Sequence, residues 1–316
     1  MIVSSDTLLL TSSAVVLVGA GGLLILLYLF QPALRSSSRP AVQRTVLHQA
    51  STAPPPDLSI VIPAYNEELR LEGMLQPAWA YFEQQQQSSK TKTVEWILVN
   101  DGSTDATSQV FGQFVADRAK QNQHHSWILL ELAANAGKGA AVQAGVLQSL
   151  GQHVLMVDAD GATDFGPGLE ALLQHSDADV VIGTRVHLDR HWVRQCLSNV
   201  FSQLVAGLVG TRTIHDTQCG FKLFRRNCIP TIFGSLHLAT WAFDIEVLYL
   251  TQVAGYSWAQ VPVPWHEVEG SKLHTSAFAL VWVASSMLRD MICVRLCYAL
   301  GIWTVVRSSS EGKKEQ

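Results

Sequence analysis

The sequence predicts an α/β domain with a mostly parallel central sheet and helices on both faces. Short apolar runs alternate along the chain with polar or amphipathic segments of helical length, which is the pattern of strand–helix–strand units. The runs are continuously apolar, as in strands buried on both faces. With 316 residues, 48% of them hydrophobic, the chain is large enough to bury a substantial core.

Five apolar runs are the predicted strands. They occupy residues 58–62, 94–100, 127–131, 153–158 and 179–184. The segments around 67–83, 104–120, 138–150 and 167–175 have the length and spacing of helices. This order predicts a nucleotide-type α/β fold, in which ligands gather beyond the carboxyl ends of the parallel strands.

An apolar segment near the N-terminus predicts a membrane anchor. After a short non-cytosolic stretch at 1–6, residues 7–30 carry no charge, and a helix over 8–30 would be about 35 Å long. A cleaved signal peptide is the alternative, but no basic residue precedes the apolar run, which exceeds the usual length for such peptides. We therefore expect one uncleaved transmembrane helix.

The charges that follow the anchor predict its orientation. Arg35, Arg39 and Arg44 follow the apolar run, and no basic residue precedes it, which places the rest of the chain in the cytosol. Residues 31–57 are rich in Ser and Pro and are predicted to be a linker. The folded catalytic domain is expected over residues 58–275.

Two further apolar segments, 192–210 and 276–303, have the length of helices. The second contains Arg289, Asp290 and Arg295, each of which costs about 2.5–3.5 kcal/mol at the centre of a spanning helix. We therefore predict amphipathic helices at the membrane interface. Packing against the domain is the alternative, and periodicity does not separate the two. A polar tail, 304–316, completes the chain.

Acidic residues follow three of the predicted strands. Glu67 and Glu68 follow the first apolar run, Asp101 ends the second directly before Gly102, and Asp158 and Asp160 end the fourth, with Gly161 directly after Asp160. Two aspartates separated by one residue in an extended chain project to the same side and share a divalent cation well. The sequence therefore predicts Mg²⁺ or Mn²⁺ held by Asp158 and Asp160, a type of site that commonly serves a substrate diphosphate.

The net charge argues against nucleic acid as a partner. The chain has 22 Lys plus Arg residues against 26 Asp plus Glu residues, a formal net charge of −4. Proteins that bind nucleic acids usually present a basic face to the phosphates. We therefore expect no nucleic-acid partner.

Several motifs resemble those of a known enzyme family. VIPAYNEE, VNDGSTDAT, NAGKGAAVQAG and VDADGAT, in this order, are similar to family 2 of the nucleotide-sugar glycosyltransferases, which have the GT-A fold. HDTQCGFKLFRR, WAFDIEVLY and VPWHEVEGSKL resemble the dolichyl-phosphate β-glucosyltransferases within it, and the resemblance covers residues 57–303. It implies inverting transfer of glucose from UDP-glucose to dolichyl phosphate, for protein N-glycosylation, on the cytosolic face of the endoplasmic reticulum membrane.

The resemblance also implies roles on the donor side. Pro63, Tyr65 and Glu67 would line the uridine pocket, and Lys138 would lie near it. Asp101 would form a hydrogen bond with uracil or ribose. Asp158 would contact the nucleotide or the metal, and Asp160 would be the metal ligand. Mannosyl relatives often carry a Gln two residues after the second aspartate. Ala162 stands there, so Asp164 or water is the expected substitute.

On the acceptor side, Asp244 corresponds to the family's catalytic aspartate and is predicted to position the acceptor or act as a base. A carboxylate at a helix N-terminus is the alternative reading. By the same resemblance the acceptor phosphate would be bound by Arg185, Lys222 and Lys272, with Gln218 facing the acceptor or sugar; Gln218 as a buried structural amide is equally compatible.

Two other functions remain open at this point. The first is the same chemistry with another donor, such as GDP-mannose; the DTQCGFKLF and EGSKL motifs favour glucose. The second is a membrane-anchored nucleotide-binding subunit without catalysis. The presence of Asp101, Asp158, Asp160 and Asp244 together favours an enzyme.

Overall fold

A computed structural model describes residues 24–35, 39–50, 55–86, 92–119, 124–185, 207, 216–268 and 277–306. These residues contain one eight-stranded sheet. The strands are β1 (Val42–His48), β2 (Leu58–Ala64), β3 (Val94–Asn100), β4 (His125–Leu132), β5 (His153–Val157), β6 (Val180–Arg185), β7 (Phe221–Arg225) and β8 (Trp258–Val263). The helices are α1 (Gln31–Arg35), α2 (Leu71–Gln86), α3 (Thr107–Arg118), α4 (Lys138–Gln148), α5 (Phe165–Leu173), α6 (Ile229–Ile232), α7 (Phe243–Val253) and α8 (Ala277–Ala299).

The sheet is mixed, with the order β1-β4-β3-β2-β5-β7-β6-β8. Strands β4, β3, β2 and β5 run parallel to one another, and β8 runs parallel to β6. The two antiparallel strands are β1 at the edge and β7 between β5 and β6. All five predicted runs form strands, so the α/β class is confirmed, whereas a mostly parallel sheet describes only part of the arrangement.

Strand β1 corrects the prediction of a linker over 31–57. It pairs antiparallel with β4, from Val42 opposite Leu132 to His48 opposite Trp127. Its sequence, VQRTVLH, is rich in β-branched residues, which fit a pleated, half-buried edge. The surrounding serines and prolines dominate the composition of the segment and conceal this short strand.

Apolar cores cover both faces of the sheet, as expected from the continuous apolar runs. In β2, Val61 belongs to the core beneath α4, α7 and α8, while Ile60 and Ile62 belong to the core beneath α2, α3 and α5. Successive residues of a strand point to opposite faces, so a strand covered on both sides must be apolar throughout.

The second half of α8 packs against the domain. Met287, Met291, Val294 and the cysteines at 293 and 297 are buried in the same core as α7. This is the alternative that periodicity left open, with helix α7, rather than the sheet alone, as the packing partner. Contact with a membrane through its exposed side chains stays a prediction, and the segment 192–210 lies outside the described residues apart from Gly207.

The predicted anchor falls largely outside the described residues, which begin at Leu24. Residues 24–29 are helical, and Leu24, Ile25 and Leu26 are exposed. Within the part of the chain that the structure describes, no helix combines the length and the apolar character needed to cross a bilayer.

Candidate active site

The loops after β2 and β3 are joined by backbone and side-chain hydrogen bonds. Asn66 adopts a positive φ of 53°; its backbone N–H donates to Ser103 Oγ at 2.9 Å, and its side-chain oxygen accepts from the Thr104 N–H at 2.8 Å. Asp105 accepts from the N–H groups of Glu68 and Thr107. These polar residues therefore hold the two loops together and lie at the start of α3.

Asp101 holds the loop that leads into α4. Its Oδ1 accepts from the Ala136 N–H at 2.7 Å and its Oδ2 from the Gly137 N–H at 2.9 Å. The residue is buried, and burial raises the pKa of its carboxyl, although the two N–H donors oppose that rise. Asp101 thus positions the residue after Gly137, which is Lys138, while its predicted bond to uracil or ribose stays a prediction.

The other predicted uridine residues lie at the same edge of the sheet. Pro63 is buried within β2, and Tyr65, one residue beyond the strand, is 37% exposed. Glu67 forms a bidentate pair with Arg70, with both N···O distances 2.7 Å. Its carboxylate is thereby fixed at the entrance to α2, close to the loop after β3.

Lys138 and Asp158 form an ion pair at this edge. Lys138 Nζ lies 2.6 Å from Asp158 Oδ1, and the two side chains are 16% and 32% exposed. Gly220 backs onto Asp158: a Cβ at position 220 would clash with the carboxylate, and the Asp158 N–H donates to the Gly220 carbonyl at 3.0 Å. Burial would lower the pKa of Lys138, but Asp158 and Asp244 outweigh that effect and raise it.

Asp160 lies beside Asp158 with its Oδ1 accepting from the Ala162 N–H at 3.1 Å. Burial, followed by the charge of Asp158, raises the pKa of the Asp160 carboxyl. Among the residues described, no group of three or more His, Cys, Asp or Glu side chains is arranged to hold a metal ion. Asp158 and Asp160 are thus two neighbouring carboxylates, a type of group that Mg²⁺ and Mn²⁺ bind together with substrate oxygens and water.

A second ion pair joins Lys222 and Asp244. Lys222 Nζ lies 2.7 Å from Asp244 Oδ1, and the side chains are only 1% and 5% exposed. Asp244 also lies in the first turn of α7. The alternative interpretation, a carboxylate at a helix N-terminus, therefore describes its position as well. Burial raises the pKa of Asp244, and the charges of Lys222 and Lys138 oppose that rise.

The remaining predicted acceptor residues are Arg185, Gln218 and Lys272. Arg185 donates from Nε and Nη2 to the carboxylate of Asp216 at 2.7 and 2.9 Å. Gln218 Nε2 lies 3.6 Å from Met287 Sδ on α8. Lys272 lies outside the described residues.

The structure brings together Asp158, Lys138, Asp244 and Lys222, whose charges alternate. The ammonium group of Lys222 is buried against Asp244, and its predicted contact with an acceptor phosphate stays a prediction. Lys222 is buried because it lies within an inner strand, opposite Met156 on β5 and Ile182 on β6.

Two residues with evident roles at the site escaped the sequence reasoning. Asp216 neutralises Arg185, and its presence in the same motif as Gln218 was the available signal. Trp241 is 48% exposed, and its ring centroid lies 5.5 Å from Lys138 Nζ. The sequence shows a tryptophan three residues before Asp244, but its exposure and its approach to Lys138 depend on the fold.

Comparison with known proteins identifies the class to which this site belongs. The model of the family described as Glycosyl transferase family 2 matches residues 59–233, which contain both Asp158 and Asp160. The chain belongs to this family and is a glycosyltransferase.

Curated relatives indicate which kind of glycosyltransferase this chain resembles. The chain is 39% identical over 277 residues to the dolichyl-phosphate beta-glucosyltransferase of Drosophila melanogaster, covering 84% of this chain and 81% of the relative. It is 37% identical over 260 residues to the enzyme of the same name from Dictyostelium discoideum, covering 78% and 76%. The resemblance predicted from the later motifs is confirmed.

The fold is also similar to that of a solved enzyme. Glucosyl-3-phosphoglycerate synthase from Mycobacterium tuberculosis, in complex with Mn²⁺ and UDP-glucose, superposes with a TM-score of 0.55 and 18% identity, covering 80% of this chain and 81% of the other. At this identity the similarity supports the GT-A-like α/β fold alone.

Proposed function

We propose that this enzyme transfers glucose from UDP-glucose to dolichyl phosphate, with inversion at the anomeric carbon, to give dolichyl β-D-glucosyl phosphate for protein N-glycosylation. The observation that carries the proposal is the meeting of Asp158 and Lys138 with Asp244 and Lys222 at one edge of the sheet. The names of the curated relatives support both glucose and the lipid phosphate acceptor.

A divalent cation, Mg²⁺ or Mn²⁺, is part of the proposal, with Asp158 and Asp160 as the residues that would hold it. The fit rests on chemistry: the raised pKa of Asp160 reflects burial and a neighbouring carboxylate, and a bound cation relieves both costs. The Mn²⁺ in the M. tuberculosis enzyme supports this assignment. Such a cation supplies positive charge to the departing diphosphate.

The donor side depends on residues that the fold already holds in place. Asp101 positions the 136–137 backbone, and Lys138 follows directly. The ammonium group of Lys138, paired with Asp158 before substrate arrives, lies where it can contact a diphosphate oxygen. Pro63, Tyr65 and Glu67 are assigned to the uridine by the resemblance to the family, and their place at the carboxyl end of β2 supports the assignment.

The acceptor is a phosphate monoester, whose second pKa is about 6, so much of it is a dianion at neutral pH. It is already a competent nucleophile, and Asp244 therefore has more to contribute by orienting the acceptor than by removing a proton. Arg185, Gln218 and Lys272 are assigned to the acceptor side. Arg185 would have to share its guanidinium between Asp216 and the phosphate, which its five N–H donors permit.

We also propose that the enzyme is a single-pass protein of the endoplasmic reticulum membrane, with the catalytic domain facing the cytosol. The basic residues that follow the N-terminal apolar run support this orientation. The lipid bilayer would then be the source of the acceptor. Exposed apolar side chains at Leu24, Ile25, Leu288 and Leu300 are consistent with a nearby lipid surface.

A donor competition experiment tests the proposed reaction. Purified full-length protein in detergent is given dolichyl phosphate and either UDP-glucose, UDP-galactose or GDP-mannose, and the lipid-linked sugar is measured. We expect transfer from UDP-glucose to exceed the others at least tenfold. Preference for GDP-mannose would overturn the assignment of glucose, and transfer to water alone from every donor would overturn the lipid acceptor.

A further inference from the structure

Lys222 occupies an unusual position for a lysine. It lies within β7, an inner strand, and only 1% of its surface is exposed. Lysines are almost never fully buried without a partner, because desolvation of an ammonium group costs several kcal/mol. The structure must therefore contain a compensating group.

Asp244 and the backbone provide that compensation. Lys222 Nζ donates to Asp244 Oδ1 at 2.7 Å and to the Cys219 carbonyl at 2.6 Å. The first bond joins β7 to the first turn of α7, and the second fixes the turn that precedes β7. Both ends of the ion pair are thus on rigid elements of the fold.

The surroundings of Asp244 show why its charge needs balancing. The charged groups that act on it are Lys222 from β7, Lys138 from α4 and Asp158 from the end of β5. Lys138 is already in direct contact with Asp158. Lys222 is therefore the cation in direct contact with Asp244 among the described residues, and an acceptor phosphate dianion would otherwise approach an uncompensated carboxylate.

We propose that Lys222 is a positioning residue that acts on the reaction through Asp244, rather than a ligand of the acceptor phosphate. It fixes the direction of the carboxylate and balances its charge, so that an anionic acceptor can be accommodated beside it. This inference rests on the proposed acceptor-side function of Asp244.

A double-mutant cycle tests the inference. The variants are Lys222→Met, Asp244→Asn and the two combined, assayed for glucose transfer with both substrates varied. We expect Lys222→Met to lower kcat by about 100-fold while changing the KM for dolichyl phosphate less than about threefold, as for loss of an interaction that matters mainly in the transition state. In the Asp244→Asn background the second substitution should lower kcat less than about threefold further.

Controls separate this effect from loss of the fold. Lys92→Met removes an exposed lysine just before β3 and should leave both kinetic constants unchanged. Lys222→Arg retains the charge and should retain more activity than Lys222→Met. If Lys222→Met does not fold because the Asp244 carboxylate is left unpaired, Lys222→Arg, which keeps the pair charged, is assayed in its place. A fall in kcat with an unchanged KM for dolichyl phosphate supports the inference, and a rise in that KM alone overturns it.

Different outcomes overturn different claims. A large rise in the KM for dolichyl phosphate at unchanged kcat, or additive losses in the double variant, would show that Lys222 contacts the acceptor itself. Full activity of Asp244→Asn would overturn the function of Asp244 and this inference with it. A parent enzyme that transfers no glucose to dolichyl phosphate would instead overturn the proposed function.

Discussion

The site contains two lysine–aspartate pairs with nearly equal N···O distances and very different exposure. Lys138–Asp158 spans 2.6 Å with side chains 16% and 32% exposed, whereas Lys222–Asp244 spans 2.7 Å with side chains 1% and 5% exposed. An exposed pair exchanges partners readily with a charged ligand, because solvent screens the separated charges. A buried pair does not, because separating it leaves an uncompensated charge.

The position of each lysine in the fold explains the difference. Lys138 begins α4 directly after Gly137, whose φ of 103° turns the chain at the open edge of the sheet. Lys222 lies within a strand that has neighbours on both sides. We conclude that the first pair is suited to binding a substrate, and the second to maintaining a geometry.

The largest effect is expected on the donor side, from Asp160→Asn. Loss of a carboxylate from the proposed cation site should reduce glucose transfer on the order of 10³-fold, as when a group that stabilises developing negative charge is removed. Asp177→Asn, an exposed aspartate away from the site, is the matched control. Equal activity of the two variants would argue against the assignment of Asp160.

The melting temperature of Asp160→Asn shows whether a loss of activity comes from the missing carboxylate or from unfolding. The raised pKa of Asp160 means that its ionised form destabilises the metal-free fold at neutral pH. We therefore expect metal-free Asp160→Asn to melt at a higher temperature than the parent at pH 7. The gap should shrink as the pH falls through the raised pKa of Asp160 and should be closed below the ordinary aspartate pKa of about 3.9, where the carboxyl is protonated in both the folded and the unfolded parent.

Stability measurements compare the two pairs directly. Lys222→Met breaks a buried pair and should lower the free energy of unfolding by about 3–5 kcal/mol. Lys138→Met breaks a partly exposed pair and should cost about 1 kcal/mol or less. Urea denaturation of both variants beside the parent checks the difference, and similar losses would contradict the division into a substrate-binding pair and a structural pair.

The kinetics of Lys138→Met test whether the Lys138–Asp158 pair binds a substrate. If its ammonium group binds the donor diphosphate, the KM for UDP-glucose should rise about tenfold, equivalent to about 1.4 kcal/mol. The KM for dolichyl phosphate should stay the same. A rise only in the KM for dolichyl phosphate would show that Lys138 binds the acceptor and not the donor.

The smallest expected effect concerns the support behind Asp244. Glu246, two residues further along α7, is fully buried and accepts from the Leu238 N–H at 2.7 Å and from Tyr298 Oη of α8 at 2.9 Å. Tyr298→Phe should lower the free energy of unfolding by about 1 kcal/mol. Tyr28→Phe, at a position 42% exposed, should change it by less. Equal losses of unfolding free energy in the two variants would show that the hydrogen bond from Tyr298 on α8 does not stabilise Glu246 and α7.

The sequence was informative where the signal is local. Continuous apolar runs identified five strands because a strand covered on both faces has no polar alternative at any position. Asp158 and Asp160 were predicted together because ligands gather at the edge of the sheet where parallel strands end. Strands β1, β7 and β8 were missed, since pairing with strands distant in the chain, rather than a local apolar run, makes them part of the sheet.

The residue types and order of the motifs were sufficient, by themselves, to predict the α/β class and the family. They also named Asp158 and Asp244, which the structure brings together with Lys138 and Lys222. Only the tertiary structure decided which lysine belongs to which aspartate, because burial and the pairing of β7 with β5 and β6 arise from contacts far apart in the chain. It showed that Lys222, which was predicted to bind the acceptor phosphate, is the buried partner of Asp244. A charge is visible in a sequence, but its access to solvent is set by the fold around it.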